Sequence, residues 1–113
     1  MATRYYLSLP DLAALRNAGA LAFRAHGAEG IAEELQAALR DDGLFQRWRA
    51  AQHDPDEVDP ALGACDSAAD VRGEQRDLHI DLVVVTSLPS TVLRHRLRLL
   101  AGQAWQLRDV TAA

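Results

Sequence analysis

The stretch Leu78-His79-Ile80-Asp81-Leu82-Val83-Val84-Val85-Thr86, continued through Ser87, Pro89 and Ser90 to Gly102 and on to Val110, decides the fold. Leu78, Ile80, Leu82 and Val84 alternate with His79, Asp81 and Val83, the two-residue period of a strand. Leu82 to Val85 is apolar at every position, the pattern of a central strand covered on both sides. Ser87, Pro89 and Ser90 supply helix-start chemistry and Gly102 supplies a stop. Between them Val92, Leu93, Leu97, Leu99 and Leu100 make one apolar side and Arg94 and Arg98 the opposite side, with Arg96 inside the apolar arc. Trp105 to Val110 then reads as a second strand, so the unit is strand, helix, strand.

Upstream, Val71 to Gln75 reads as a weak strand that turns at Arg76-Asp77, although residues 71–86 also read as one bent strand. Residues 52–70 form a long acidic loop punctuated by Asp54-Pro55, Asp59-Pro60 and Gly63, and a loop of that length is commonly functional. Before it, Ile31, Leu35, Ala38 and Leu39 recur at helical spacing, with Glu29, Glu33 and Glu34 near the positive end and Arg40 near the other. Leu44, Phe45 and Trp48 mark a second short helix after Asp42-Gly43, and Leu12 and Leu15 one or two turns more. Ala20 to Ala25 alternates Leu21 and Phe23 with Ala22 and Arg24 and reads as a strand, as does the aromatic run Arg4 to Leu9.

Taking the segments at Ala20, Val71, Leu78 and Trp105 as the four strands gives the order β-α-β-β-α-β. That is an α+β, ferredoxin-like split βαβ sandwich, with Arg4 to Leu9 as an extra N-terminal strand. Both helices then cover one sheet face and leave Val83 and Val85 on the other. Their cover is either the Tyr5-Tyr6 strand or a second copy of the chain.

The totals bound what the fold can be. The 113 residues are 49% hydrophobic, enough for one domain over 1–113 with its own core. Cys65 is the only cysteine, so no internal disulfide forms. All twelve basic residues are arginine, which fits a GC-rich bacterial source. Residues 1–10 lack a signal-peptide pattern, and no apolar run approaches the roughly 18 residues of a membrane span. The expected setting is cytoplasmic, with no membrane partner. Charge is uneven: residues 51–81 hold nine acids against Arg72 and Arg76, residues 82–113 hold four arginines against Asp109, and residues 1–50 balance. Such asymmetry fits self-complementary contact, or simply a solvated acidic loop beside a basic helix.

No motif names an activity. Arg96 is expected to pair with Asp81 or Asp109, bridging helix to strand end, because a buried guanidinium without a partner is costly. The plainer alternative lays its stem on apolar surface with the head in water. Arg94 and Arg98, with His95 beside them, could meet phosphates, but they read as a solvated helix face on an acidic chain, and nucleic acid is disfavoured. His79 to Val83 lacks the aromatics of an RNA-recognition strand. Asp54, Asp56 and Asp59 miss EF-hand spacing, and His26, His53, His79 and His95 show no zinc spacing, so no metal or cofactor is expected. Cys65 reads as an inert loop thiol and Ser87 and Ser90 as helix-start residues, so no catalytic group is assigned.

The leading expectation is therefore a non-enzymatic interaction or regulatory module, homodimeric through its sheet, with Val83, Val85 and Trp105 at the interface. The alternative is a small-ligand binder or enzyme at the first strand–helix turn, His26, Gly27 and Gly30, beside the acidic loop.

Overall fold

The computed structural model describes residues 2–113. Four strands, β1 (Thr3–Leu9), β2 (Asp70–Arg76), β3 (His79–Thr86) and β4 (Gln106–Ala112), form one sheet in the order β2-β3-β1-β4. Every neighbouring pair is antiparallel. Four helices, α1 (Leu12–Leu15), α2 (Ala28–Arg40), α3 (Gly43–Ala50) and α4 (Ser90–Ala101), complete an α+β fold.

The strand–helix–strand unit forms as its pattern dictates. β3 buries Ile80, Leu82, Val84 and Thr86 and leaves His79, Asp81, Val83 and Val85 half-buried on the other face. α4 starts at Ser90 and stops at Gly102, which takes φ +59, a conformation glycine adopts without cost. Its Val92, Leu93, Leu97 and Leu100 join Ile31, Leu35 and Leu39 of α2 in one core over the sheet.

Several expectations are corrected. Arg4 to Leu9 is not an extra strand: β1 lies between β3 and β4 and is the first of the four. Its centrality explains why Leu7, Ser8 and Leu9 are all buried. Ala20 to Ala25 is not a strand. Leu21 and Phe23 alternate because that connection lies along the core, Phe23 buried and tied by its amide to the Leu100 carbonyl at 2.9 Å. Residues 71–86 form the hairpin expected from the turn at Arg76-Asp77, and the alternative of one bent strand is excluded. Leu78 belongs to its tip, 86% exposed, beside Asp77 at φ +53.

Close approach rather than turn geometry explains Gly73 in β2. A Cβ there would sit 2.4 Å from the Ala28 carbonyl oxygen, so glycine lets the start of α2 rest on the sheet.

The connection from Ala51 to Ala69 holds two 3-10 turns, Pro55–Glu57 and Pro60–Gly63. Arginines tie down its carbonyls: Arg40 Nε donates to Ala69 at 2.7 Å and Arg49 Nε to Pro55 at 3.0 Å. Asp66 fastens it to the end of β3, accepting from the Thr86 hydroxyl at 2.7 Å and the Ser87 amide at 3.0 Å. No helix among the described residues is long and apolar enough to cross a membrane.

Candidate functional site

Because side chains alternate along each strand, the residues opposite the buried set share the sheet face that carries no helix. The register arranges them in rows across that face. One row runs Arg72, Val83, Tyr6, Asp109 from β2 to β4. The next runs Asp70, Val85, Arg4, Thr111, and a third Glu74, Asp81, Ser8, Gln106. The face is a shallow trough of about 790 Å³. Its floor is Tyr6, Val83 and Val85, all half-buried, and its sides carry arginines and carboxylates.

The ladder shifts register between Tyr6 and Leu7, a bulge that admits Arg108 between Leu107 and Asp109. Both Arg108 and Arg4 line the trough, and neither has a carboxylate within ion-pair distance among the described residues. The far side is already cross-linked. Arg72 Nε lies 3.3 Å from Asp70, Arg76 Nη2 3.1 Å from Glu74 and Arg76 Nε 3.6 Å from Asp81. His79 Nε2 is 3.3 Å from the same Asp81. All four pairs are solvent-exposed and contribute little to stability. One buried polar atom on this face, Thr111 Oγ1, has no hydrogen-bond partner among the described residues.

Of the expected interface residues, Val83 and Val85 share the trough. Trp105 does not: it packs on the helix side against the core, near Leu93 and Leu97 of α4. Its Nε1 donates to the Gly102 carbonyl at 3.1 Å, and the Arg94 guanidinium sits 6.0 Å from its ring. Tyr6 does not cover Val83 from another layer, as the Tyr5-Tyr6 strand was expected to, but lies beside it in the same sheet. The signal for Arg4 and Tyr6 on this face is the alternation of Arg4, Tyr6 and Ser8 with Tyr5, Leu7 and Leu9; Arg72 has no comparable signal in the sequence.

The expected pair of Arg96 with Asp81 or Asp109 does not form. Arg96 is fully buried on the helix side, whereas Asp81 and Asp109 project from the opposite face of the sheet. Arg96 instead donates from Nη1 to the Leu62 carbonyl and from Nη2 to the Ala64 carbonyl, both at 2.8 Å. Its guanidinium also lies 5.9 Å from the Phe45 ring centre. Burial pushes it below its ordinary value, opposed by Cys65, Asp42 and Asp41, yet an arginine stays charged. Beside it Cys65 donates to the Gly63 carbonyl, and burial pushes that thiol up, so it stays protonated at neutral pH. His95 stands edge-on to Trp48, ring centres 4.4 Å apart.

The candidate ligand turn is built for packing. His26 Nδ1 is 3.1 Å from Arg16 Nη2, and the Glu34 carboxylate accepts from the amides of Arg24 and Ala25. A Cβ on Gly30 would lie 2.7 Å from the Ala25 Cβ. Nor does the acidic loop adjoin it there. The loop's last residues dock at the far end of α2, where the Asp66 amide donates to the Leu39 carbonyl at 2.8 Å, roughly 20 Å along the helix from Gly27.

Comparison of the chain with protein-family models, with curated proteins and with solved structures finds no match.

Proposed function

We propose that the chain is a non-enzymatic interaction module that works as a homodimer through the helix-free face of its sheet. The finer reading of its architecture is a ferredoxin-like split βαβ sandwich in one domain, of bacterial origin and cytoplasmic. The order β1-α2-β2-β3-α4-β4 and the strand order β2-β3-β1-β4 support the architectural part of that reading.

The observation that carries the functional reading is the half-buried floor of Tyr6, Val83 and Val85 between two charged margins. Charge on the face balances: Arg4, Arg72, Arg76 and Arg108 against Asp70, Glu74, Asp81 and Asp109. A face with both signs and an apolar middle is compatible with its own copy, which a two-fold contact requires. Strands about 4.8 Å apart and about 23 Å long give a plan area of roughly 450 Å². That is below the roughly 800 Å² per partner of a standard interface, so the affinity is expected in the micromolar range. The ligand reading at His26 to Gly30 has less support, since the groups there are engaged with one another.

Light scattering over a concentration series tests the proposal. A mass rising from 12.3 kDa toward twice that value supports it, as does a Val83→Glu variant that stays monomeric. A wild-type mass that stays monomeric at about 1 mM overturns it.

A further inference from the structure

We infer that the β1–β4 side of the trough binds a small organic oxyanion, one phosphate or carboxylate head on an apolar, ring-sized body. The site goes beyond the pairing of copies, because every group in it belongs to one chain.

The placement of unpaired charge carries this inference. Arg4 and Arg108 line the trough, and neither has a carboxylate within ion-pair distance among the described residues. Arg108 Nη1 lies 3.4 Å from Gln106 Oε1, a long bond to a neutral amide. Asp109, the carboxylate next in the chain, is drawn to its own backbone: its Oδ1 accepts from the Val110 amide at 2.9 Å.

The two arginines bracket Tyr6. Arg4 is two residues before it on β1, and Arg108 is the bulge residue opposite the step from Tyr6 to Leu7. Strand rise and spacing put their Cα atoms about 10 Å apart, close enough for both guanidinium groups to meet one head. Each guanidinium presents a fork of N–H donors that matches an oxyanion. Tyr6, Val83 and Val85, all half-buried, form the apolar floor that takes the body of the ligand. The trough's volume of about 790 Å³ lies within the roughly 300–1,000 Å³ of small-molecule sites.

The opposite margin limits the ligand to one anionic end. There Asp70 pairs with Arg72, and Glu74 and Asp81 pair with Arg76, while His79 adjoins Asp81. Those cations are already engaged, so a second anionic group would meet carboxylates. A polyanion is excluded on the same ground. β2 and β4 are three strand spacings apart, roughly 14 Å, which leaves room for one ring beside the head.

The test is amide NMR of the isotope-labelled chain titrated with phenyl phosphate, phenylacetate, inorganic phosphate and benzyl alcohol. At least one of the two aryl anions is expected to saturate below about 1 mM, with shifts gathered at Arg4, Tyr6 and Arg108. The tighter of the two identifies the head. Inorganic phosphate, which buries no ring, binds about tenfold more weakly, and uncharged benzyl alcohol does not saturate. Arg4→Gln and Arg108→Gln each weaken the aryl anion about tenfold, the loss of one charged hydrogen bond. Arg47→Gln, which removes the same charge from the exposed side of α3, leaves binding unchanged. The amide spectra report the fold of every variant directly.

No saturation by either aryl anion at about 10 mM, or binding that survives both arginine changes, overturns the site. Inorganic phosphate binding as well as the aryl anions overturns the apolar body. Sedimentation of the same samples reports association separately. A chain that binds the probe and never dimerises keeps this site, and a dimer that never binds it loses the site alone.

Discussion

Arg96 Nη1 donates to the Leu62 carbonyl at 2.8 Å, reaching from α4 to a 3-10 turn 34 residues earlier in the chain. The side chain is wholly buried and its second bond goes to Ala64, so both hydrogen bonds of this charged group go to backbone oxygens, while its Nε has no partner among the described residues. The bonds are charge-assisted, worth roughly 1.5–3 kcal/mol each against the water they replace. Removing the ion from water cancels much of that gain. What survives is positional: the guanidinium fixes where an irregular segment lies.

Arg96→Met is therefore expected to change global stability little while freeing the connection. The unfolding midpoint moves by only a few degrees, because methionine fills much of the volume without a buried charge. Cleavage by a protease within residues 55–64 quickens severalfold, since Leu62 and Ala64 lose their anchor. Arg96→Ala adds a cavity and costs about 3 kcal/mol or more. A protected connection in Arg96→Met would show that other ties, such as Arg49 to Pro55, suffice.

His95 gives the fold an acid-side weakness near neutrality. Burial, with Arg96 and Arg98 nearby, holds its imidazole below the ordinary 6.5, and its ring lies against Trp48 and Phe45. The unfolded chain therefore takes up the proton first, and stability falls as pH drops below about 6.5 until the folded form is protonated as well. Thermal melts between pH 7.5 and 5 are expected to show this slope, and His95→Gln to flatten it. An unchanged slope in His95→Gln would assign it to other groups.

The parts of this fold that were legible in the sequence are those whose neighbours are close in the chain. α4 could be read from Val92, Leu93 and Leu97 together with Gly102, and β3 from its alternation, because each pattern is local. Two misreadings came from long-range pairing. Leu21 and Phe23 alternate like a strand but have no ladder, whereas Thr3–Leu9 gains central rank from β3 and β4, far along the chain. The Arg96 partners were hidden for the same reason: a backbone carbonyl carries no sequence signature, whereas the carboxylates Asp81 and Asp109 do. Val83 and Val85 were legible as an uncovered pair, but their neighbour Tyr6 became visible only with the register.

Asp66 is expected to be the loop acid whose loss matters. It accepts from the Thr86 hydroxyl and from the amides of Ser87 and Ala68, and these bonds hold its carboxyl below the ordinary 3.8. Its contribution is thus full above about pH 3.8 and disappears as pH falls through the lower folded value. Asp66→Ala leaves the buried Thr86 hydroxyl short of a partner and costs roughly 1–2 kcal/mol in urea unfolding at pH 7. The exposed Asp54→Ala, by contrast, is expected to be silent. Equal effects of the two would remove the special place given to Asp66.

Gly73 offers the sharpest steric prediction. Its missing side chain makes room for the Ala28 carbonyl, and a Cβ would stand 2.4 Å from that oxygen and 3.2 Å from Leu82 Cδ2. The oxygen belongs to the first turn of α2, so it cannot swing aside as a flexible side chain would. Gly73→Ala must therefore lift the helix from the sheet or bend β2, at a cost of about 2 kcal/mol or more. Gly27→Ala is the matched control, because a Cβ there meets nothing within 4 Å and its φ of −99° suits any residue. Urea unfolding of the pair is expected to separate them clearly, with Gly27→Ala near wild type. Equal stability would mean that α2 can shift freely on the sheet, and the rigid docking of its first turn would have to be given up.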